Sequence, residues 1–244
     1  MTNEEDPTKC FLPDKVLEKF YDDALSGPAK QLGELGTDVV KVARLVLAPI
    51  QIGAAYQDRL KTMFTRIATK VPEQQRIAPP PEVAGPTLEG MRYLEEENPL
   101  WQMFEEILTK AIDIDEVESI HPSFSRIISQ LSRDEAVILC QLSQSDFEVT
   151  DYMDLNREKN RFDNRRIENS NLPSKSLYLP DQIDLYYSHL ESLNLVVWPV
   201  LTQNPVKDDE GNQVGIRRYS RMQLTEFGKL FAKASIPKGG IRRS

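Results

Sequence analysis

Apolar residues recur every three or four positions through most of the first 145 residues, and prolines divide that pattern into short segments. This spacing places one apolar stripe on each segment when it coils as an α-helix, and each stripe needs a partner surface. From Pro13, Val16, Leu17, Phe20, Tyr21 and Leu25 form a first stripe. Leu32, Leu35, Val39, Val42, Ala43 and Val46 form a second that stops or kinks at Pro49, and Ile52, Tyr56, Leu60, Met63, Phe64 and Ile67 form a third ending near Lys70. Three such helices in succession predict a bundle over residues 13–130 behind a disordered leader at 1–12.

The bundle is interrupted by IAPPPEVAGP at 77–86. Adjacent prolines fix φ, remove backbone donors and push the preceding residue toward extended geometry, so Pro79, Pro80 and Pro81 predict a rigid polyproline-like corner. Gly85-Pro86 reads as a turn feeding the next helix, which carries Leu88, Met91 and Leu94. Asn98-Pro99 then caps a longer helix with Leu100, Phe104, Ile107, Leu108 and Ala111. His121-Pro122 opens another, containing Phe124, Ile127, Ile128 and Leu131, and Ser132 with Glu135 forms a capping box ahead of Ala136, Leu139, Cys140 and Leu142.

Residues 151–176 are almost wholly polar and read as a long loop or marginal helix. A helix follows Pro180 with Ile183, Tyr187, Leu190 and Leu193, after which LVVWPV at 195–200 and GIRRYSRM at 215–222 read as two strands around the turn-forming KDDEGNQ. Thr225 caps a last helix. The expectation is a mainly α protein: the helical bundle, then a winged-helix-like module at 131–236 with one β-hairpin and a polar insertion at 151–176, then a basic tail at 237–244.

Charge and motif content exclude several chemistries. The net charge of −8 makes the whole chain a poor polyanion binder, although residues 212–244 carry eight Lys/Arg against one Glu while 93–118 carry nine Asp/Glu against one Lys. His121 and His189 are the only histidines, Cys10 and Cys140 the only cysteines, and neither pair has metal-ligand or redox spacing. No phosphate-binding glycine loop is present, so no cofactor or catalytic residue is expected. MTNEEDPTKC lacks the features of a secretory leader, which points to the cytoplasm. LVLAPIQIGAAY at 45–56 would rise roughly 18 Å as a helix, short of the roughly 30 Å of a bilayer core.

Pro79-Pro80-Pro81 with Ala84-Gly85-Pro86, HPSF at 121–124, LSRDEA at 131–136 and LTEFGKLF at 224–231 resemble the Abi-alpha (abortive infection alpha) family of bacterial proteins. The resemblance implies antiphage defence, with Pro79, Pro80, Pro81, Gly85, Pro86, His121, Pro122 and Phe124 as structural punctuation and no catalytic residues to carry over. Two functions are therefore weighed. One is a non-enzymatic defence protein acting through a protein partner or homo-oligomer, or through release of its apolar front helices, with transient membrane association by residues 31–70. The other is a winged-helix DNA-binding regulator using Arg217, Arg218 and Arg221; it ranks below protein contact because residues 181–193 hold Asp181, Asp184 and Glu191 and no Lys or Arg.

Overall fold

The computed structural model describes residues 54–242. The leader, the helices expected at 13–25 and 31–47, and Cys10 lie outside the described residues. In chain order the helices are α1 (Ala54–Lys70), α2 (Pro81–Met91), α3 (Pro99–Ala111), α4 (Ser123–Ile128) and α5 (Arg133–Leu142). Strands β1 (Phe147–Asn156) and β2 (Arg161–Ser170) follow, then α6 (Ile183–Ser192), β3 (Val196–Val197), β4 (Val200–Lys207), β5 (Gln213–Leu224) and α7 (Glu226–Ser235).

α3 sits at the centre, and twelve of its thirteen residues are buried, so neighbours must cover it on every side. Those neighbours are α1, α2, α4, α5 and α7. Its start is fixed by the sequence: Pro99 occupies the first turn, where a missing N–H costs nothing, and the Asn98 side chain accepts from Leu100 N at 2.9 Å. Phe104 and Ile107 are fully enclosed. Phe124 of α4 meets Phe231 of α7 edge-on at 5.4 Å, which closes the core across more than a hundred residues of sequence. One apolar cluster runs from Leu60 to Ile236.

The mainly α expectation with a winged-helix-like module and one hairpin is corrected here. The described residues contain a five-stranded antiparallel sheet with two hairpins, in the order β2-β1-β5 with β3 and β4 both lying along the far edge of β5. The stretch read as a loop at 151–176 supplies most of β1 and β2. Its strand character is hidden for two reasons. Asp151 takes an inward position, 1% exposed, where alternation leads one to expect an apolar residue. The β1–β2 register also shifts twice, and Asn164, at φ 54°, lies within the second irregularity, so the period of two is broken.

The proline corner also differs from the sequence reading. Pro79-Pro80 remains extended, but α2 begins at Pro81 and encloses Pro86, so Gly85-Pro86 is helix interior and not a turn. Val83, Ala84, Thr87, Leu88 and Met91 are buried on one face. That burial outweighs a helix-breaking proline, whose cost is about 3 kcal/mol. At the other end of the chain, Thr225 Oγ1 accepts from Gly228 N at 2.8 Å, capping α7. A Cβ on Gly228 would lie 2.0 Å from Leu195 O, so only glycine lets α7 approach the segment leading into β3 this closely.

Candidate functional site

The motif residues singled out above serve the framework. His121 Nδ1 accepts from Ser123 N at 3.1 Å and shares a hydrogen bond with Ser123 Oγ, which holds the entry to α4. Pro122 precedes that helix directly and Phe124 is its buried anchor. Pro79 is buried, Pro80 and Pro86 are half-buried, and Pro81 is exposed at the first turn of α2. Thr87, one residue beyond Pro86, bonds Ser125 Oγ at 2.6 Å and ties α2 to α4.

The three arginines do not act as one patch, because neighbours in a strand face opposite ways. Arg217 and Arg221 lie on the outer face of the sheet and Arg218 on the inner face, and each faces a carboxylate. Arg217 grips Glu168 with two bonds, of 2.6 and 3.0 Å, and this hydrogen bond holds the Glu168 carboxyl below its usual range. Arg221 bonds Glu148 at 3.1 Å with Asp146 nearby at 4.0 Å. Arg218 bonds Asp151 at 2.8 Å, and Arg165 approaches the same carboxylate at 3.4 Å. Arg165 also stacks over Trp198, 5.1 Å from the ring centroid, and bonds Asp184 at 3.1 Å, fastening the inner sheet face to α6.

Other buried charged groups are similarly occupied. Burial pushes the Glu105 carboxyl up, but hydrogen bonds from Arg66 (2.9 Å) and Lys70 (3.0 Å) outweigh it and hold the group below its ordinary value. Lys110 pairs with Glu106 at 3.1 Å and donates to the carbonyl oxygens of Lys233 and Ala234, joining α3 to the end of α7. Asp134 receives Tyr178 N (2.8 Å), Leu179 N (2.9 Å) and Tyr186 OH (2.8 Å). Burial alone would raise its carboxyl; these three donors lower it. Burial together with Asp134 pushes Tyr186 up to about 12. Glu135 accepts from Ser132 N and contacts His189 Nδ1 at 2.6 Å, so the predicted capping box also grips α6.

Two open grooves flank the segment after α7. Ile241 packs against the core, while Gln102 accepts from Arg242 N at 2.8 Å and donates to Arg242 O at 3.1 Å. On one side of this strap lies a groove of about 730 Å³ that holds the Glu105 and Glu106 pairs together with Glu97, Asp113 and Glu116. On the other side a groove of about 600 Å³ is lined by Arg133, Asp134, Cys140, Lys175, Tyr178 and Arg242, among others. Neither groove was signalled by motif spacing, since the first joins α1, α3 and the chain after α7, and the second joins α5, the linker before α6 and the chain after α7, only in three dimensions. Of the eleven exposed large apolar residues among the described residues, six, namely Ile167, Tyr178, Leu179, Leu185, Val200 and Leu201, fall in the sequence between β2 and the start of β4.

Among the described residues no cluster of three or more His, Cys, Asp or Glu is arranged to hold a metal, and no helix is long and apolar enough to cross a membrane. No curated protein matches the chain. A solved structure described as an uncharacterized protein from the hydrocarbon-degrading marine bacterium Alcanivorax borkumensis SK2 is 18% identical, covering 46% of this chain and 90% of that one with a TM-score of 0.30, a likeness too slight to bear on fold or function. The abortive infection alpha family matches residues 55–235, from α1 to the end of α7. That span takes in the caps, the central helix and the whole sheet, and the chain belongs to the abortive infection alpha (Abi_alpha) family.

Proposed function

We propose that the protein serves abortive infection in the cytoplasm as a non-catalytic contact protein. The supporting observation is the state of its buried acids. Glu105, Glu106, Asp134, Glu135 and Asp151 are each tied to a cation, a histidine or backbone donors in the framework, whereas general acid–base work needs such a group aimed at a substrate. What the surface offers instead is exposed apolar side chains, Leu185 on α6 and Leu201 on β4 among them, 60% and 54% exposed, of the kind a protein partner covers. Release of the front helices fits less well, because α1 buries Leu60, Met63 and Ile67 and supplies both cations of Glu105.

The test is protection from phage. Expression in a phage-susceptible host should lower plaque formation, and Leu185→Asp with Leu201→Asp should abolish protection while leaving thermal unfolding unchanged. Protection by the double variant equal to that of the parent chain, or no protection against a broad phage panel, would overturn the reading.

A further inference from the structure

The two edges of the sheet are finished differently. The β2 edge is guarded against further pairing: Arg161, Asp163, Arg165, Arg166 and Glu168 stud the strand, and its register with β1 shifts twice. β4 forms part of the opposite edge, and no described strand pairs with its outer side. Every residue of β4 except the half-buried Val206 is exposed, the apolar Val200 and Leu201 included. The strand is also uncharged up to Lys207, within a run from Ser192 to Val206 that holds no Asp, Glu, Lys or Arg.

The backbone determines what this edge can bind. Arg221 N donates to Pro199 O at 3.1 Å, so Arg221 turns its backbone groups toward the β4 side of β5. The β1–β5 register runs without a shift from Met222 to Gly215, so alternation turns Tyr219 and Arg217 the same way, and Ser220, Arg218 and Ile216 toward β1. The residues of β4 opposite those last three are Val200, Gln203 and Pro205, which therefore direct their backbone polar groups away from the sheet. Pro205 fits this assignment, since its missing N–H deprives β5 of no bond. The outer edge thus presents the N–H and C=O groups of Val200 and Gln203, separated by the register shift at Leu201 and Thr202.

We infer that β4 pairs antiparallel with β4 of a second copy of the chain, about a two-fold axis between Leu201 and Thr202. Val200 then exchanges both backbone hydrogen bonds with Gln203 of the partner subunit, and Gln203 does the same with the partner subunit's Val200, so every outward donor of the two residues is used. Pro205, with no donor to give, falls outside the paired stretch. Val200 and Leu201, exposed in the single chain, lie at the axis. An identical strand suits this edge because it brings no charge to be desolvated against groups unable to pair with it. Two chains of net charge −8 repel overall, and an uncharged edge is a place where they approach at least cost. The pairing rests on the contact reading for its use in the cell, but the two are tested apart: Leu185 takes no part in it, and oligomeric state is measured without phage.

The experiment is sedimentation velocity of the full chain from roughly 1 μM to 1 mM, with amide hydrogen exchange at both ends of that range. A monomer–dimer equilibrium with a Kd of about 100 μM or tighter is expected, and the Val200 and Gln203 amides should exchange slowly in the concentrated sample alone. Gln203→Pro removes one outward donor per chain and no bond to β5, so it should leave thermal unfolding unchanged and weaken the dimer at least about tenfold. Ile167→Lys on the β2 edge should leave the dimer as it is. A chain that stays monomeric with both amides unprotected, a dimer that survives Gln203→Pro or is weakened by Ile167→Lys, or a dimer whose Val200 and Gln203 amides exchange as fast as in the monomer would overturn the pairing. Slow exchange at both amides in a chain that stays monomeric would put another segment of the same chain on this edge and overturn the second copy. Assembly beyond the dimer would overturn the two-fold arrangement.

Discussion

Replacing Asp134 with Asn tests how the linker before α6 is held. The carboxylate, on a residue only 6% exposed, accepts two backbone amides and a tyrosine hydroxyl at 2.8–2.9 Å. Hydrogen bonds to a charged acceptor contribute about 1.5–3 kcal/mol each when buried, against about 1 kcal/mol for neutral pairs. An asparagine keeps one acceptor oxygen and turns an NH₂ group toward donors. With the linker partly open to solvent, the net loss should be about 3 kcal/mol. For a chain of this size that lowers Tm by about 6–12 °C. Tyr186→Phe removes only one of the three bonds and should cost about 1.5 kcal/mol, the low end of the range for a charged acceptor. The local readout is amide hydrogen exchange: Tyr178 and Leu179 should exchange faster in the asparagine variant, while amides within α3 change only as far as global stability does. The pH dependence has a definite sign. The Asp134 carboxyl lies below its ordinary value in the folded state, so its contribution is complete above the unfolded Asp pKa of about 4 and is lost as pH falls through the folded value. The gap between parent and variant should therefore narrow in acid. Equal Tm values at neutral pH, or unchanged exchange at Tyr178 and Leu179, would refute the reasoning.

Three further outcomes follow from the same contacts. Arg218→Ala should destabilise by about 2–4 kcal/mol in urea unfolding, because it leaves the buried Asp151 with Arg165 alone, whereas Arg217→Ala on the solvent side should cost under about 1 kcal/mol. Gly228→Ala should lower Tm by more than any surface substitution, since its Cβ would meet Leu195 O at 2.0 Å and force α7 away from the segment before β3. Phe231→Ala should cost about 3–5 kcal/mol, because a ring with no exposed surface packed on Phe124 is replaced by a cavity.

Helix starts were the most legible part of the sequence. Asn98, Ser132 and Thr225 each make the cap bond that their side chains predict. The stripe of Leu100, Phe104, Ile107, Leu108 and Ala111 is buried as its spacing requires. The β1–β2 hairpin was illegible because hydropathy treats Asp151 as a solvent residue, and only its arginine partners, fourteen and sixty-seven residues later, make an inward position tolerable. Gly85-Pro86 misled in the opposite direction: local rules for turns were strong, but the buried face of Val83, Ala84, Thr87 and Leu88 overrode them. Arg217, Arg218 and Arg221 were correctly placed on a strand, yet a strand's alternation separates them and their acidic partners come from β1, β2 and the residue before β1. The grooves and the strap depend on long-range convergence, which no local window contains.

The central position of α3 bears on how the chain emerges from a ribosome. Translation delivers this helix early, but the Phe231 ring and the Lys233 and Ala234 carbonyls that complete its surroundings arrive more than a hundred residues later. Until then the nascent chain holds out an apolar face and a lysine without its final partners, a state that invites chaperones and aggregation. Completion of the last helix thus supplies the final cover of α3, and a polypeptide halted before Thr225 should be a substrate for quality control, not a smaller working protein.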